Sequence, residues 1–294
     1  DLPLSRGLGD VYKRQKKFYK LARLDKPIGI YLLMWPSLLG LLLGGVQAGS
    51  TDIINYLIVI TGSILVRSCG CVINDISDYK FDKYVKRTSE RPLATGELTL
   101  KEAWAFFIIL SCLSFALLLT TSILTVKIAI FFAFLIVIYP LTKRFFLAPQ
   151  FILGITFGSG AIISYSLQAD VFSLSLLILY IAVIIWVISF DTVYALEDLE
   201  DDKKIGIYST PILWGDNTIL ISRSLHCIFY VLLGIIAIVN NFSMYFIFTM
   251  LILIYFHYEQ VKFINKKNYL DAFKYNSKIG FIAFVGFAVE ILIL

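Results

Sequence analysis

Apolar residues in this chain come in long unbroken runs separated by short polar connections, not in the alternation of a half-buried strand or the narrow stripe of a surface helix. A helix needs roughly 20 mostly apolar residues to cross a hydrocarbon layer about 30 Å thick. Nine runs approach that length, at 28–46, 53–73, 103–120, 124–141, 151–168, 171–192, 218–239, 242–260 and 279–294, the last being the shortest. Each predicts a spanning helix, because backbone polar groups in lipid must be satisfied within their own segment. The expected fold is therefore an all-α integral membrane bundle of nine transmembrane helices. Its connections are too short and apolar for a separate soluble domain, so residues 16–294 read as a single membrane domain.

Composition agrees with the pattern. Hydrophobic residues make up 59% of the 294 positions, only 16% are charged and the mean hydropathy is +0.81, more apolar surface than a water-soluble globule can bury. The charges then orient the bundle. Lys and Arg number eight before the first run, then none, six, none, two, none, two, none and five in successive connections, so 23 of 26 fall in alternate loops. By the positive-inside rule the N-terminus and the loops after runs 2, 4, 6 and 8 are expected in the cytoplasm. The net charge of +5 is thus a topology signal, and with no basic recognition helix no nucleic-acid partner is expected. Residues 1–15, DLPLSRGLGDVYKRQ, lack an apolar core and a capping pattern and switch at Lys16 to a basic amphipathic stretch; they are expected to be a non-native or disordered leader. Cys69, Cys71, Cys112 and Cys227 sit in apolar runs without a His at metal spacing and read as small core residues. His226 and His257, near run ends with no acid beside them, read as packing residues.

Two predicted cytoplasmic loops carry most of the carboxylates. In the first, GCVINDISDYKFDKYVKRTSERPLATGEL (70–98), a continuing helix would stack Asn74, Asp78 and Asp82 at i, i+4 and i+8, with Asp75 alongside. Like charges at that spacing repel, and they call for a cation. In the second, DTVYALEDLEDDKKIGIYSTPILWG (191–215), Asp191, Asp198 and Asp202 would share a helical face with Tyr194 and Asp201 flanking it. Oxygen donors without His or Cys favour Mg2+ or Ca2+, and Mg2+ usually shares a few carboxylates with substrate phosphates. Two facing carboxylate columns therefore predict a Mg2+-held diphosphate. The loops follow runs 2 and 6, and this even offset leaves both on one side of the membrane. Similar layouts predict two four-helix halves plus one further helix, with a cytoplasmic cap of interhelical loops.

Candidate diphosphate or substrate groups are Lys83, Lys86, Arg87, Arg91, Lys143 and Arg144, although any one of them also suits a membrane anchor. Arg67 lies inside an apolar run near the face of Asn74, which makes it a functional candidate, either for an acidic substrate group or as a partner of a carboxylate. Tyr139 and Tyr194 could shield a cation by cation–π contact. A divalent-cation transporter would instead carry acids near the middle of several spans, and these acids lie at span ends.

The two loops resemble those of the UbiA family of aromatic prenyltransferases, and within it the 4-hydroxybenzoate polyprenyltransferase branch. The pattern NDxxDxxxD stands as Asn74, Asp75, Asp78 and Asp82, followed by ERPLATG at 90–96. DxxYAxxDxxDD stands as Asp191, Tyr194, Ala195, Asp198, Asp201 and Asp202, followed by KIGIYST at 204–210. RLDKPIG at 23–29, LLMWP at 32–36 and YPLTKR at 139–144 are further matches. The resemblance implies a Mg2+-dependent transfer of a polyprenyl group from its diphosphate to the ring of 4-hydroxybenzoate, ortho to the hydroxyl, for ubiquinone synthesis at a bacterial inner membrane. Homogentisate, a naphthoate or haem are the alternative acceptors. It further implies that Asp191 orients or deprotonates the phenol, that Arg67 or Arg144 meets the acceptor carboxylate or the phosphates, and that Asn74, Asp75, Asp78, Asp82, Asp198 and Asp202 hold the metal with its diphosphate.

Overall fold

The computed structural model describes residues 3–292, with side chains from residue 11 onward. Among the described residues every regular element is a helix. In chain order these are α1 (Pro3–Leu21), α2 (Ile28–Ala48), α3 (Ile53–Asp78), α4 (Leu100–Leu118), α5 (Ile123–Thr142), α6 (Pro149–Tyr165), α7 (Leu174–Ala195), α8 (Leu199–Ile205), α9 (Thr210–Trp214), α10 (Thr218–Val239), α11 (Phe246–Asn265) and α12 (Tyr269–Leu292). Of the leader expected at 1–15, residues 1 and 2 lie outside the described residues, and α1 runs from Pro3 across the expected boundary without a break at Lys16.

Among the described residues eight helices are long and apolar enough to cross a membrane: α2, α3, α4, α5, α7, α9–α10 taken together, α11 and α12. The expected count was nine, and the run that falls short is 151–168. It forms α6, which has 17 residues. Starts are fixed by short polar side chains that accept orphan backbone N–H groups. Asp52 accepts from Ile54 N–H at 2.9 Å, Ser122 from Thr125 N–H at 3.2 Å and Ser173 from Leu176 N–H at 3.2 Å. Thr99 and Glu102 form a reciprocal capping box at the start of α4.

The last helix departs most from expectation. Its apolar run begins at 279, but α12 begins at Tyr269, where Asn268 caps it by accepting from Asp271 N–H at 3.2 Å. Asp271, Lys274 and Lys278 hide this first half from a hydropathy reading. Nor is α12 appended to two finished halves: it packs between α2, α7 and α11. The core there is aromatic. The fully buried Trp186 ring stacks on Phe229 at 5.1 Å, while its Nε1–H donates to Asn276 Oδ1 at 3.0 Å. The expected packing role of His226 fits its position in this core, where it is buried beside His257 and Ser189.

At the centre, α2 is covered by α3, α6 and α12. Gly40 and Gly44 lie against the backbone of α6, and a Cβ at Gly40 would come within 2.7 Å of the Ala161 carbonyl carbon. Small residues at such a crossing let two helices approach closely in lipid. Replacing Gly40 by Val should force α2 and α6 apart and lower the thermal midpoint of detergent-solubilised protein by several degrees. Gly234→Ala, where nothing stands within 4 Å, should leave the midpoint nearly unchanged.

Candidate active site

The end of α3 carries Asn74, Asp75 and Asp78 on successive turns of one helix, as the spacing predicts. Asp82 does not continue that column. The helix stops at Asp78, and Asp82 opens a separate 3₁₀ turn at Asp82–Tyr84. The second column breaks similarly: α7 ends at Ala195, and Asp198 stands in non-helical geometry just ahead of α8. Asp191, Asp198 and Asp202 therefore do not share one helical face. Repulsion between carboxylates stacked at i and i+4 disfavours a continuous helix in both places, and each break turns its later acids toward cations from other segments.

Those cations neutralise nearly the whole cluster. Asp75, only 1% exposed, accepts from Arg23 Nη2 at 2.7 and 2.8 Å and lies 3.0 Å from Arg91 Nη1. Arg91 also donates to Asp82 at 2.9 and 3.1 Å. Asp78 is ion-paired with Lys143, and Arg144 stands 3.7 Å away while donating to the Ser77 carbonyl at 2.6 Å. Arg87, from the first acidic segment, reaches across to the second. Its Nε donates to Asp198 at 2.9 Å, its Nη1 to Tyr194 OH at 2.6 Å, and its guanidinium lies 4.8 Å from the Tyr194 ring centre. The Lys86 backbone N–H donates to Asp201 at 3.2 Å. The two acidic segments thus meet at one end of the bundle.

Beneath them lies a cavity of about 1210 Å³. Asn74, Asp78, Asp82, Arg87, Arg91, Lys143, Asp198 and Asp202 line its polar mouth. Tyr139, Asp191, Tyr194 and Arg67 line it too, and it continues as an apolar shaft past Val59, Leu117, Ala133 and Leu167, between α3, α4, α5 and α6. Lys83 is exposed and is not among the lining residues. The structure adds three residues to those expected. Arg23 sits in the left-handed region at φ +57°, which turns its side chain back onto Asp75. Gln150, a polar residue at the start of α6, accepts from Thr210 N–H at 3.0 Å beside Asp191. Phe157 lies under the Arg67 guanidinium, 5.3 Å from its ring centre. For Arg23 the signal was its place in RLDKPIG; for Gln150 it was an amide at the head of an apolar run.

Burial pushes the Asp82 carboxyl up, with Asp75 and Asp78 adding to the rise and Arg91 opposing it. Burial, then the charge of Asp198, pushes Asp202 up to about 6. Burial works against the charge of Arg87 and Arg91, but their carboxylate partners outweigh it and hold both firmly protonated. Among the described residues no three His, Cys, Asp or Glu side chains converge closely enough to cage a metal alone. One feature suits a cation nonetheless: Asp78 Oδ1 is buried and accepts no hydrogen bond.

A model of the UbiA prenyltransferase family matches residues 33–285. The chain belongs to that family. A relative named 4-hydroxybenzoate octaprenyltransferase from Vesicomyosocius okutanii is 38% identical over 272 residues, which is 92% of this chain and 99% of the relative. The fold is that of a UbiA homologue from Aeropyrum pernix K1 solved in the apo state, with TM-score 0.77 and 22% identity over 89% of this chain and 98% of that one. It is also that of a UbiA homologue from Archaeoglobus fulgidus solved with DMAPP and Mg2+, with TM-score 0.71 and 18% identity over 95% of this chain and 100% of that one. These structures share the helical bundle.

The raised Asp202 has a consequence for the ligand-free protein. A carboxyl whose folded pKa lies above its unfolded value adds stability below the unfolded pKa and loses it as pH rises through the folded one. In magnesium-free buffer, Asp202→Asn should therefore raise the thermal midpoint at pH 7.5. That advantage should shrink as the pH is lowered through about 6 and vanish in the ordinary carboxylate range.

Proposed function

We propose that this protein transfers a polyprenyl group from polyprenyl diphosphate to the ring of 4-hydroxybenzoate, ortho to the hydroxyl, in ubiquinone biosynthesis. The observation that carries this reading is the convergence of two acidic segments and their cations on the mouth of one cavity whose shaft is apolar. A polar, cation-rich mouth over a greasy shaft matches a diphosphate joined to a polyprenyl chain. The relative's name supplies the acceptor.

The donors fit magnesium. They are oxygens only, with no His or Cys among them, and the free Oδ1 of Asp78 offers a ligand position. Asn74, Asp78, Asp82, Asp198 and Asp202 would hold Mg2+. Asp75 is so fully engaged by Arg23 and Arg91 that it serves to position them. Bound magnesium would supply positive charge to the diphosphate and make it a better leaving group.

The protein's own groups do the rest. Arg87, Arg91, Lys143 and Arg144 surround the mouth and can donate charge-assisted hydrogen bonds to phosphate oxygens, stabilising the leaving group as negative charge builds on it. Tyr139 and Tyr194 both line the cavity; the Tyr139 ring can stabilise an allylic cation and exclude water, while Tyr194, stacked on Phe273 and covered by Arg87, holds that arginine at the mouth. Arg67 takes the acceptor carboxylate and turns the ring toward the prenyl carbon. Asp191, in the last turns of α7 near Gln150 and Arg67, orients the phenol and accepts the proton released as the ring recovers aromaticity.

Topology follows from parity. Arg87 and Asp198 can pair only if the ends of α3 and α7 lie on one side of the membrane, which requires an even number of crossings between them. With α4, α5 and α7 crossing, that parity supports α6 as a ninth span, short as it is at 17 residues. The alternation of Lys and Arg supports a cytoplasmic placement of this face and the N-terminus, and the bacterial source of the relatives supports an inner membrane.

Membranes carrying the protein should form prenylated 4-hydroxybenzoate from magnesium, the acid and a polyprenyl diphosphate. Asp78→Ala and Asp198→Ala should each abolish transfer at any magnesium concentration. Near-normal product in either variant sinks the reading.

A further inference from the structure

Arg23, Arg87, Arg91, Lys143 and Arg144 each have a carboxylate within 4.0 Å. Arg67 differs from all of them. Among the described residues it makes no ion pair or side-chain hydrogen bond, and its guanidinium rests on the Phe157 ring. An unpaired cation inside a span is costly unless something else occupies its donors. What seats it is a glycine. A Cβ at Gly29, in the first turn of α2, would lie 2.8 Å from Arg67 Nη2 and 3.0 Å from Cζ, and nearer still to Nε.

Gly29 is not there for backbone freedom. It lies inside α2, and no left-handed backbone angle marks it, as one marks Gly49 at the end of the same helix. Gly is a poorer helix former than Ala, so the local structure gives no reason to prefer glycine there. The space itself is what Gly29 provides, and the atoms filling it are the far end of a flexible side chain. A methyl group there would displace the guanidinium and leave the helix crossing intact.

We propose that Gly29 determines acceptor specificity: its missing side chain seats the Arg67 guanidinium between α2 and Phe157, with its donors open to an aromatic carboxylate in the cavity. This rests on the acceptor reading given above. Gly29→Ala moves the cation off its seat and weakens recognition of the acid, while the diphosphate mouth, built from other residues, is untouched.

The test uses full-length protein in membranes with magnesium and one polyprenyl diphosphate, and compares 4-hydroxybenzoate with its neutral amide, 4-hydroxybenzamide. For Gly29→Ala the KM for the acid should rise about ten-fold, as expected for losing one charge-assisted contact, and the preference for acid over amide should collapse. The KM for the prenyl diphosphate should stay within about two-fold and the thermal midpoint should not fall. Arg67→Gln should produce the same collapse, and combining the two changes should add little, because both remove one contact. An unchanged acid-over-amide preference in Gly29→Ala, or an equal rise in both KM values, overturns the proposal. Wild-type protein that binds the prenyl diphosphate yet transfers nothing to 4-hydroxybenzoate overturns the acceptor reading itself.

Discussion

Charged side chains at the head of an apolar bundle are tolerated only in company. Removing one partner of a buried ion pair typically costs 3–5 kcal/mol, because the other is left uncompensated. In this protein that constraint decides where the loops go. Arg23 from the N-terminal segment and Arg91 from the long loop both close on Asp75; Lys143 and Arg144 from the end of α5 close on Asp78; Arg87 crosses to Asp198. The loops that carry these cations are folded over the mouth of the cavity by the acids they must satisfy. Apolar packing anchors the long loop as well, with Leu93 and Leu98 buried against Leu21, Val72 and Ile76.

Shaft and mouth are thus held by different forces. The shaft is bounded by long helices, and glycines let α2 and α6 approach closely beside it. The mouth is made of short elements, a 3₁₀ turn and the seven-residue α8, joined chiefly through side-chain ion pairs. Ion pairs can exchange partners with little movement of backbone, whereas close-packed helices cannot. A rigid tunnel under an exchangeable polar cap is what a substrate with a charged head and a long inert tail requires.

Much of this was legible in the chain itself. Long apolar runs gave the spans, and the even offset between the acidic segments anticipated their meeting, which the Arg87–Asp198 pair now shows. The rest was hidden for physical reasons. Hydropathy is blind to the first half of α12, where Asp271, Lys274 and Lys278 sit on a helix that still belongs to the bundle. Helical periodicity assumed that charge columns continue through Asp82 and Asp198, whereas mutual repulsion and distant arginines broke both helices. Pairing across 52 residues between Arg23 and Asp75 leaves no periodic trace. Gly29 was visible only as a letter in a motif, since its role lies in a side chain it lacks.

The charge count at the cavity bears on how it is filled. Eight Lys or Arg and eight Asp or Glu side chains line it, so at neutral pH its fixed charges nearly cancel. A diphosphate entering alone could be held only by taking arginines and lysines away from their carboxylates. Each carboxylate so stranded would be a buried charge without a partner, and the exchange would cost about what it gained. An anion that brings divalent cations with it changes the balance, because the released carboxylates then acquire new partners while the arginines turn to phosphate. Asp78, already half unsatisfied at Oδ1 and shared between Lys143 and Arg144, is where such an exchange costs least. On the proposed reading the site therefore rests in a self-neutralised state, and selects for anion and cation arriving together over either one alone.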